Sequence, residues 1–290
     1  MQIIEVKNLT YTYYADTPHE RKLLDNITFS VEKGAVLGII GENGSGKSTL
    51  LKHFNGTLQP TDGSIKVLGK EISNRQDRNE LWKKVGMVFQ FPEQQIFEDT
   101  VFNEIAYGLK NLGLSKEEIV IRVKEALDKV GLDNEYIEKL PPLSLSGGGR
   151  RRVAIASVLA MQPEVLILDE STAGLDLLGR EKIIDIIKKI KEDRNTTIII
   201  VSHNLSELIS VCSHIAVLKD GKLVSFGVTS DVLSQKTIIN MYYKMFPDYI
   251  QLMHRLSERY ENVNTRSINL EDIEIELDKL LLRGVKNGHA

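Results

Sequence analysis

Gly41-Glu42-Asn43-Gly44-Ser45-Gly46-Lys47-Ser48 fits the spacing G-x-x-x-x-G-K-S. Glycines at 41, 44 and 46 let a backbone wrap a phosphate without Cβ clashes. The free N–H groups of the following helix start, including those of Lys47, Ser48 and Thr49, then point at the anion. Lys47 adds a cation that reaches the β- and γ-phosphates, and the Ser48 hydroxyl is a Mg²⁺ ligand in such loops. The stretch lies between an apolar run, Ala35–Ile40, and a helical pattern, the context the motif requires. The chain therefore reads as binding a nucleoside triphosphate.

Val165–Leu168 is a second apolar run, and it delivers two adjacent carboxylates, Asp169 and Glu170. Ligands in open α/β sheets bind outside the carboxyl ends of strands. Successive strand residues point opposite ways, so the two acids can have separate jobs. Asp169 would hold Mg²⁺, directly or through water, while Glu170 faces the attacking water as general base. A second glycine-rich turn, Leu145-Ser146-Gly147-Gly148-Gly149, precedes a helix expected from near Arg150, again an anion-facing helix start. A strand over Thr197–Val201 leads to His203.

The elements that must position these groups follow from periodicity. Ile3–Tyr14 and Leu23–Val31 mix β-branched and aromatic residues with polar alternation and read as strands, as do Gly63–Leu68 and Val85–Gln90. Ala35–Ile40, Val165–Leu168 and Thr197–Val201 are apolar throughout and too short for helices, the mark of buried parallel strands. Leu50, Leu51 and Phe54 have helical spacing that Asn55-Gly56 stops. From about Thr100 to Ala160 the pattern is helical, with Val101, Ile105 and Leu109, then Ile119, Val123, Leu127 and Val130. His214–Leu218 and Lys222–Ser225 are joined by Asp220-Gly221, a two-residue hairpin signal. Beyond Ser230, Ile250, Met253 and Leu256 mark one short helix, and Asn269 opens a second that carries Ile273, Leu277 and Leu280 to Gly284. Their apolar stripes must bury against the core or a second chain. The alternation predicts an α/β chain: a mostly parallel core with a β-rich lobe and a helical lobe attached.

The order of these motifs resembles the ATP-binding-cassette (ABC) ATPases over residues 1 to about 230. Tyr13 stands where that family stacks an aromatic on adenine, and Gln90 where it has a glutamine that senses Mg²⁺ and touches the transport partner. Leu145–Gly149 is similar to the LSGGQ signature. Ala173-Gly174-Leu175-Asp176 is similar to the D-loop, and His203 to the histidine at the γ-phosphate. The resemblance implies a RecA-like phosphate-loop core, an antiparallel β subdomain and an inserted helical subdomain over about 97–160. It implies ATP and Mg²⁺ as cofactors, with Ser48, Gln90 and Asp169 toward the metal. Lys47, Glu170 and His203 would be catalytic, and the signature would close on the nucleotide of a second subunit.

Tyr14–Leu23, the stretch Phe89–Val101, the run Arg151–Ala156 and the C-terminal helices resemble the ATPases of energy-coupling-factor (ECF) importers. That implies a second ATPase, identical or paralogous, a membrane scaffold (T) subunit and a substrate-binding membrane (S) subunit. The system would take up a vitamin or a transition-metal ion, with this chain peripheral on the cytoplasmic face of the cell membrane. Residues 231–290 would add a dimer contact. Two positions depart from the family: Gly149 replaces the signature glutamine, and Ser171 the proline after the catalytic glutamate. Glu93, Glu98 and Asp99 are expected either to receive arginines from the scaffold or to form a solvated loop.

Composition narrows the field. A net charge of −3 with no basic tail argues against nucleic acid as a partner. The single cysteine, Cys212, excludes an internal disulfide and points to a reducing compartment. No apolar run approaches the ~20 residues that span a bilayer, and the N-terminus lacks the features of a signal peptide. The chain reads as soluble and cytosolic. Two other classes remain open: a soluble cassette ATPase acting on DNA or ribosomes, and a nucleotide-binding regulator without turnover.

Overall fold

The computed structural model describes residues 1–132, 135–192, 195–260 and 263–287. In chain order the strands are β1 (Gln2–Tyr13), β2 (Arg21–Glu32), β3 (Val36–Gly41), β4 (Asp62–Val67), β5 (Lys70–Glu71), β6 (Val85–Val88), β7 (Val165–Asp169), β8 (Thr197–Val201), β9 (His214–Lys219) and β10 (Lys222–Val228). The α-helices are α1 (Lys47–Phe54), α2 (Arg75–Glu80), α3 (Val101–Asn111), α4 (Lys116–Lys129), α5 (Glu135–Glu138), α6 (Gly147–Ala160), α7 (Leu177–Glu192), α8 (Leu205–Val211), α9 (Thr229–Leu233), α10 (Lys236–Tyr242), α11 (Asp248–Ser257) and α12 (Leu270–Asn287).

Two sheets form. One has the order β10-β9-β3-β8-β7-β6, with β9, β3, β8, β7 and β6 parallel and β10 returning antiparallel at the edge. The other, β2-β1-β4-β5, is antiparallel. The central strands are apolar on both faces because both faces are covered. Val165, Ile167, Ile199 and Val201 join Leu50, Leu51 and Phe54 of α1 and the antiparallel sheet in one core. Their neighbours Leu166, Leu168, Ile198 and Ile200 join the helices of the opposite side in a second.

Boundaries differ from expectation at several elements. The helix expected near Arg150 starts at Gly147, because the Ser146 hydroxyl accepts from the Gly149 N–H at 3.1 Å and caps it. The strand expected to reach Gln90 stops at Val88, and Phe91 turns left-handed (φ 54°). β10 runs three residues past Ser225, and α12 continues through Gly284 to Asn287. The Asn269 side chain caps α12, accepting from the Asp272 N–H at 2.8 Å. Beyond Ser230, Val232, Ile238, Tyr242, Ile250, Met253 and Ile273 all bury in the same core as α6 and α7. Leu252, Ile275 and Leu281 stay exposed. Among the described residues, no helix is long and apolar enough to cross a membrane.

Candidate functional site

Strand register brings the expected groups together. Ile39 of β3 pairs with Val201 of β8, Val201 with Asp169 of β7, and Leu168 with Val88 of β6. Three carboxyl ends therefore finish level, and the segments leaving them carry Gly41–Thr49, Glu170 and His203. Gln90 joins from the segment after β6.

The phosphate loop is tight. A Cβ at Gly41 would run into the Leu218 carbonyl oxygen and Ser45 Oγ, and Gly46 adopts φ +102° with the Leu23 carbonyl 2.9 Å from where its Cβ would sit. Gly46 occupies the N-cap of α1 with no side-chain cap, so the first-turn N–H groups keep their donors for a ligand. Lys47 Nζ donates to the carbonyls of Gly41 (2.8 Å) and Glu42 (3.0 Å). An ammonium has three donors, so one is left for an anion. Burial pulls its pKa down, and the charges of Glu170 and Asp169 work against that.

Strand alternation puts Asp169 on the α1 face with Val165 and Ile167. Burial and the adjacent Glu170 charge hold its carboxyl above the ordinary carboxylate range, opposed by the Ser48 hydroxyl and the Lys47 and Lys52 ammoniums. Glu170 sits in left-handed backbone (φ 50°), its N–H bonded to the Val201 carbonyl at 3.0 Å. Its two oxygens are taken separately: Gln90 Nε2 donates to Oε2 at 3.0 Å, and His203 Nε2 lies 2.8 Å from Oε1. Gly44, Gly46, Lys47, Ser48, Thr49, Asn43, Gln90, Glu170 and His203 line one cleft of about 580 Å³.

Other expected residues lie elsewhere. Ser146–Gly149 line a different cleft with Gly174, Leu175, Asp176 and Lys182, and the two clefts share no residue. Asp176 Oδ1 accepts from the Gly179 N–H at 2.8 Å, fixing the start of α7. Tyr13 ends β1 with its ring edge-on to Tyr11 at 4.9 Å, and its cross-strand partner Arg21, not Tyr13, lines the phosphate-loop cleft.

The model of the ABC transporter family matches residues 24–173. The energy-coupling factor transporter ATP-binding protein EcfA2 of Clostridium tetani is 42% identical over 278 residues, 96% of each chain. The chain belongs to the ABC transporter family. The EcfA2 of Clostridium perfringens is 41% identical over 99% of each chain. The solved structure of cbiO1 from Clostridium perfringens, part of the ABC transporter complex cbiONQ, superposes with a TM-score of 0.74 at 36% identity, covering 87% of this chain and 99% of that one. A dimeric post-hydrolysis ATP-binding cassette, MJ0796 bound to ADP and Pi, gives 0.68 at 30% identity over 78% and 98% of the two chains.

In this ABC protein two features were not reached from the motifs. Arg21 borders the cleft only because β2 pairs with β1 at Tyr13. Glu93 does not stand free for a partner's arginine. Its carboxylate is held by buried Arg151, at 3.0 and 2.8 Å. Burial pushes the Glu93 carboxyl up, but bonding to Arg151 and its charge outweigh this and hold it below the usual range. The signal was present in α6. Arg151 continues the buried stripe of Ile155 and Leu159 at four-residue steps, so its cation had to find an internal partner.

Proposed function

We propose that this chain is the ATP-hydrolysing motor subunit of an energy-coupling-factor ABC importer. It would couple ATP binding and hydrolysis to uptake of a vitamin or a transition-metal ion through membrane partners. The observation that carries this reading is the Glu170 carboxylate, held between Gln90 and His203 in the cleft that the phosphate loop also lines. Family membership and near-full-length similarity to EcfA2 proteins support it.

In this reading the triphosphate lies on the N–H groups of residues 43–49, with the spare donor of Lys47 on the β/γ-phosphates. The oxygen donors Ser48, Gln90 and Asp169 fit Mg²⁺, which prefers a few carboxylate or hydroxyl ligands plus phosphate to an all-protein cage. Held by these donors, Mg²⁺ would supply charge neutralisation on the phosphate oxygens. Glu170 takes the proton of the attacking water, and His203 contacts the γ-phosphate. The separate placement of Ser146–Gly148 supports closure over the nucleotide of a second ATPase subunit, identical or paralogous. ATP then joins the two subunits and hydrolysis releases them.

The scaffold and substrate-binding membrane subunits would keep the chain peripheral at the cytoplasmic face. Residues 231–290, with exposed Leu252, Ile275 and Leu281, would extend the ATPase pairing. Calorimetry tests the core of the reading: Mg²⁺-dependent ATP binding by the wild type and its loss in Lys47→Ala are expected. A wild type without affinity for MgATP would refute it. Purification from membranes should recover the two membrane subunits.

A further inference from the structure

Arg151 is a buried cation that the scheme above does not use. It is 2% exposed and spends every guanidinium nitrogen on protein partners. Nε and Nη2 fork onto the two Glu93 oxygens at 3.0 and 2.8 Å. Nη1 donates to the carbonyls of Ser171 (3.1 Å) and Ala173 (2.5 Å). Glu93 lies three residues after Gln90, and Ser171 directly follows Glu170. One side chain on the signature helix thus joins the two segments whose own side chains meet at the Gln90–Glu170 bond.

Glu170 needs such a tether. Left-handed backbone at a non-glycine residue costs about 1–3 kcal/mol and persists only where the surroundings over-determine it. The Val201 carbonyl fixes the Glu170 N–H, and the Ala173 N–H closes back onto the Glu170 carbonyl at 3.0 Å. With serine at 171 no proline ring stiffens the turn, and its outward carbonyls are held by Arg151 alone among the hydrogen bonds described. A buried ion pair is weak evidence for stability. The planar fork makes it a geometric device.

We propose that Arg151, paired with Glu93, is a positioning residue for hydrolysis. It keeps the turn behind Glu170 and the segment behind Gln90 in one register, so the base is presented only when the signature helix and both segments hold this arrangement. Movement imposed on the Gln90 segment would thereby reach Glu170 through the backbone as well as through the amide of Gln90. The inference rests on the ATPase reading above.

The test uses the full chain, purified with the subunits that accompany it. Arg151→Met and Glu93→Gln should each lower kcat by about 10²-fold, the cost of an ångström-scale misplacement, with ATP affinity unchanged within about twofold. The double variant should be no slower than the worse single, because both remove one device. Arg151→Lys keeps the charge without the fork and should still lose about tenfold. Wild-type kcat in either single variant, multiplicative losses in the double, or affinity falling in step with kcat would overturn the proposal. If Arg151→Met does not fold, Arg151→Lys and Glu93→Gln decide. Hydrogen exchange supplies a readout that needs no turnover: the Ala173 amide should exchange faster in Glu93→Gln, and unchanged exchange there overturns the coupling. An inactive wild type would defeat the ATPase reading and leave the exchange result to judge this proposal.

Discussion

Replacing Glu170 by glutamine removes the proton acceptor of the proposed function while keeping both of its contacts. The carboxylate receives Gln90 Nε2 at 3.0 Å on one oxygen and faces His203 Nε2 at 2.8 Å with the other. A glutamine carbonyl still accepts from Gln90, and its NH₂ donates to His203 once the imidazole carries its proton on Nδ1. Shape and position are retained, so the change isolates the base. Removing a general base costs 10²–10⁴-fold, about 3–5 kcal/mol of barrier. Glu170→Asp is the complementary perturbation. It keeps the base but withdraws it by about one C–C bond, roughly 1.5 Å. Neither contact can then stay within hydrogen-bond distance unless the backbone shifts. Phosphate release at saturating MgATP should fall by at least about 10²-fold in both variants, the aspartate through misplacement alone. Size-exclusion with ATP should retain a nucleotide-bound pair in the glutamine variant. Turnover by Glu170→Gln within tenfold of the wild type would show that another group takes the proton.

Three further outcomes are expected. Gly46→Ala places a side chain at φ +102° with Leu24 Cδ2 and the Leu23 carbonyl 2.6 and 2.9 Å from its Cβ. It should lose about 1–3 kcal/mol from the backbone alone, read as a lower unfolding midpoint together with weakened ATP binding. Gly149→Gln restores the family's residue and gains about 0.7 kcal/mol of helix propensity or less, but its Cβ meets Leu145 Cβ at 3.1 Å and Ser146 Oγ at 3.3 Å. Thermal unfolding should therefore change little, and a gain well above the propensity term would show that Leu145 yields freely. His53 is fully buried, its Nδ1 2.8 Å from the Thr49 carbonyl, and burial pushes its pKa below the ordinary value. The unfolded chain then binds the proton first, so stability is complete above about pH 6.5 and falls as pH drops from there toward the folded value. His53→Leu should flatten the fall in unfolding midpoint between about pH 7.5 and pH 5.5. His254, shifted in the same direction, should leave part of the slope, and unchanged slopes in both single variants would refute the assignment.

The phosphate loop, the acid pair and His203 were legible because each depends on local spacing at the end of an apolar run. Register then did the assembly: Ile39, Val201 and Asp169 are level because parallel strands of full apolar character have one way to pack. Element ends were less legible, and at α6 a cap decides the start. Ser146 recruits three glycines into α6 through a single hydrogen bond to Gly149, against their weak helix propensity. Helix α12 tolerates Gly284 for a cost of about 1 kcal/mol. Helices α9 and α10 had no signature of their own, because five and seven residues give too few turns for a period to show.

The Glu93–Arg151 pair marks the limit of such reading. Its members are 58 positions apart, and neither spacing nor composition links them. The helix supplies half of the argument, because a cation on the stripe of Ile155 and Leu159 must be answered inside the fold. Only the three-dimensional arrangement supplies the other half, by setting that cation between the segments that carry Gln90 and Glu170. An acid that a linear reading offers to an outside partner is thereby spent internally. Phe89, Phe91 and Phe97 stay exposed at that edge, with the carboxylates of half-buried Glu98 and exposed Asp99 beside them in sequence. Under the proposed function, force applied there would act on a segment bonded at its middle, at Glu93, through Arg151 to the turn that follows Glu170.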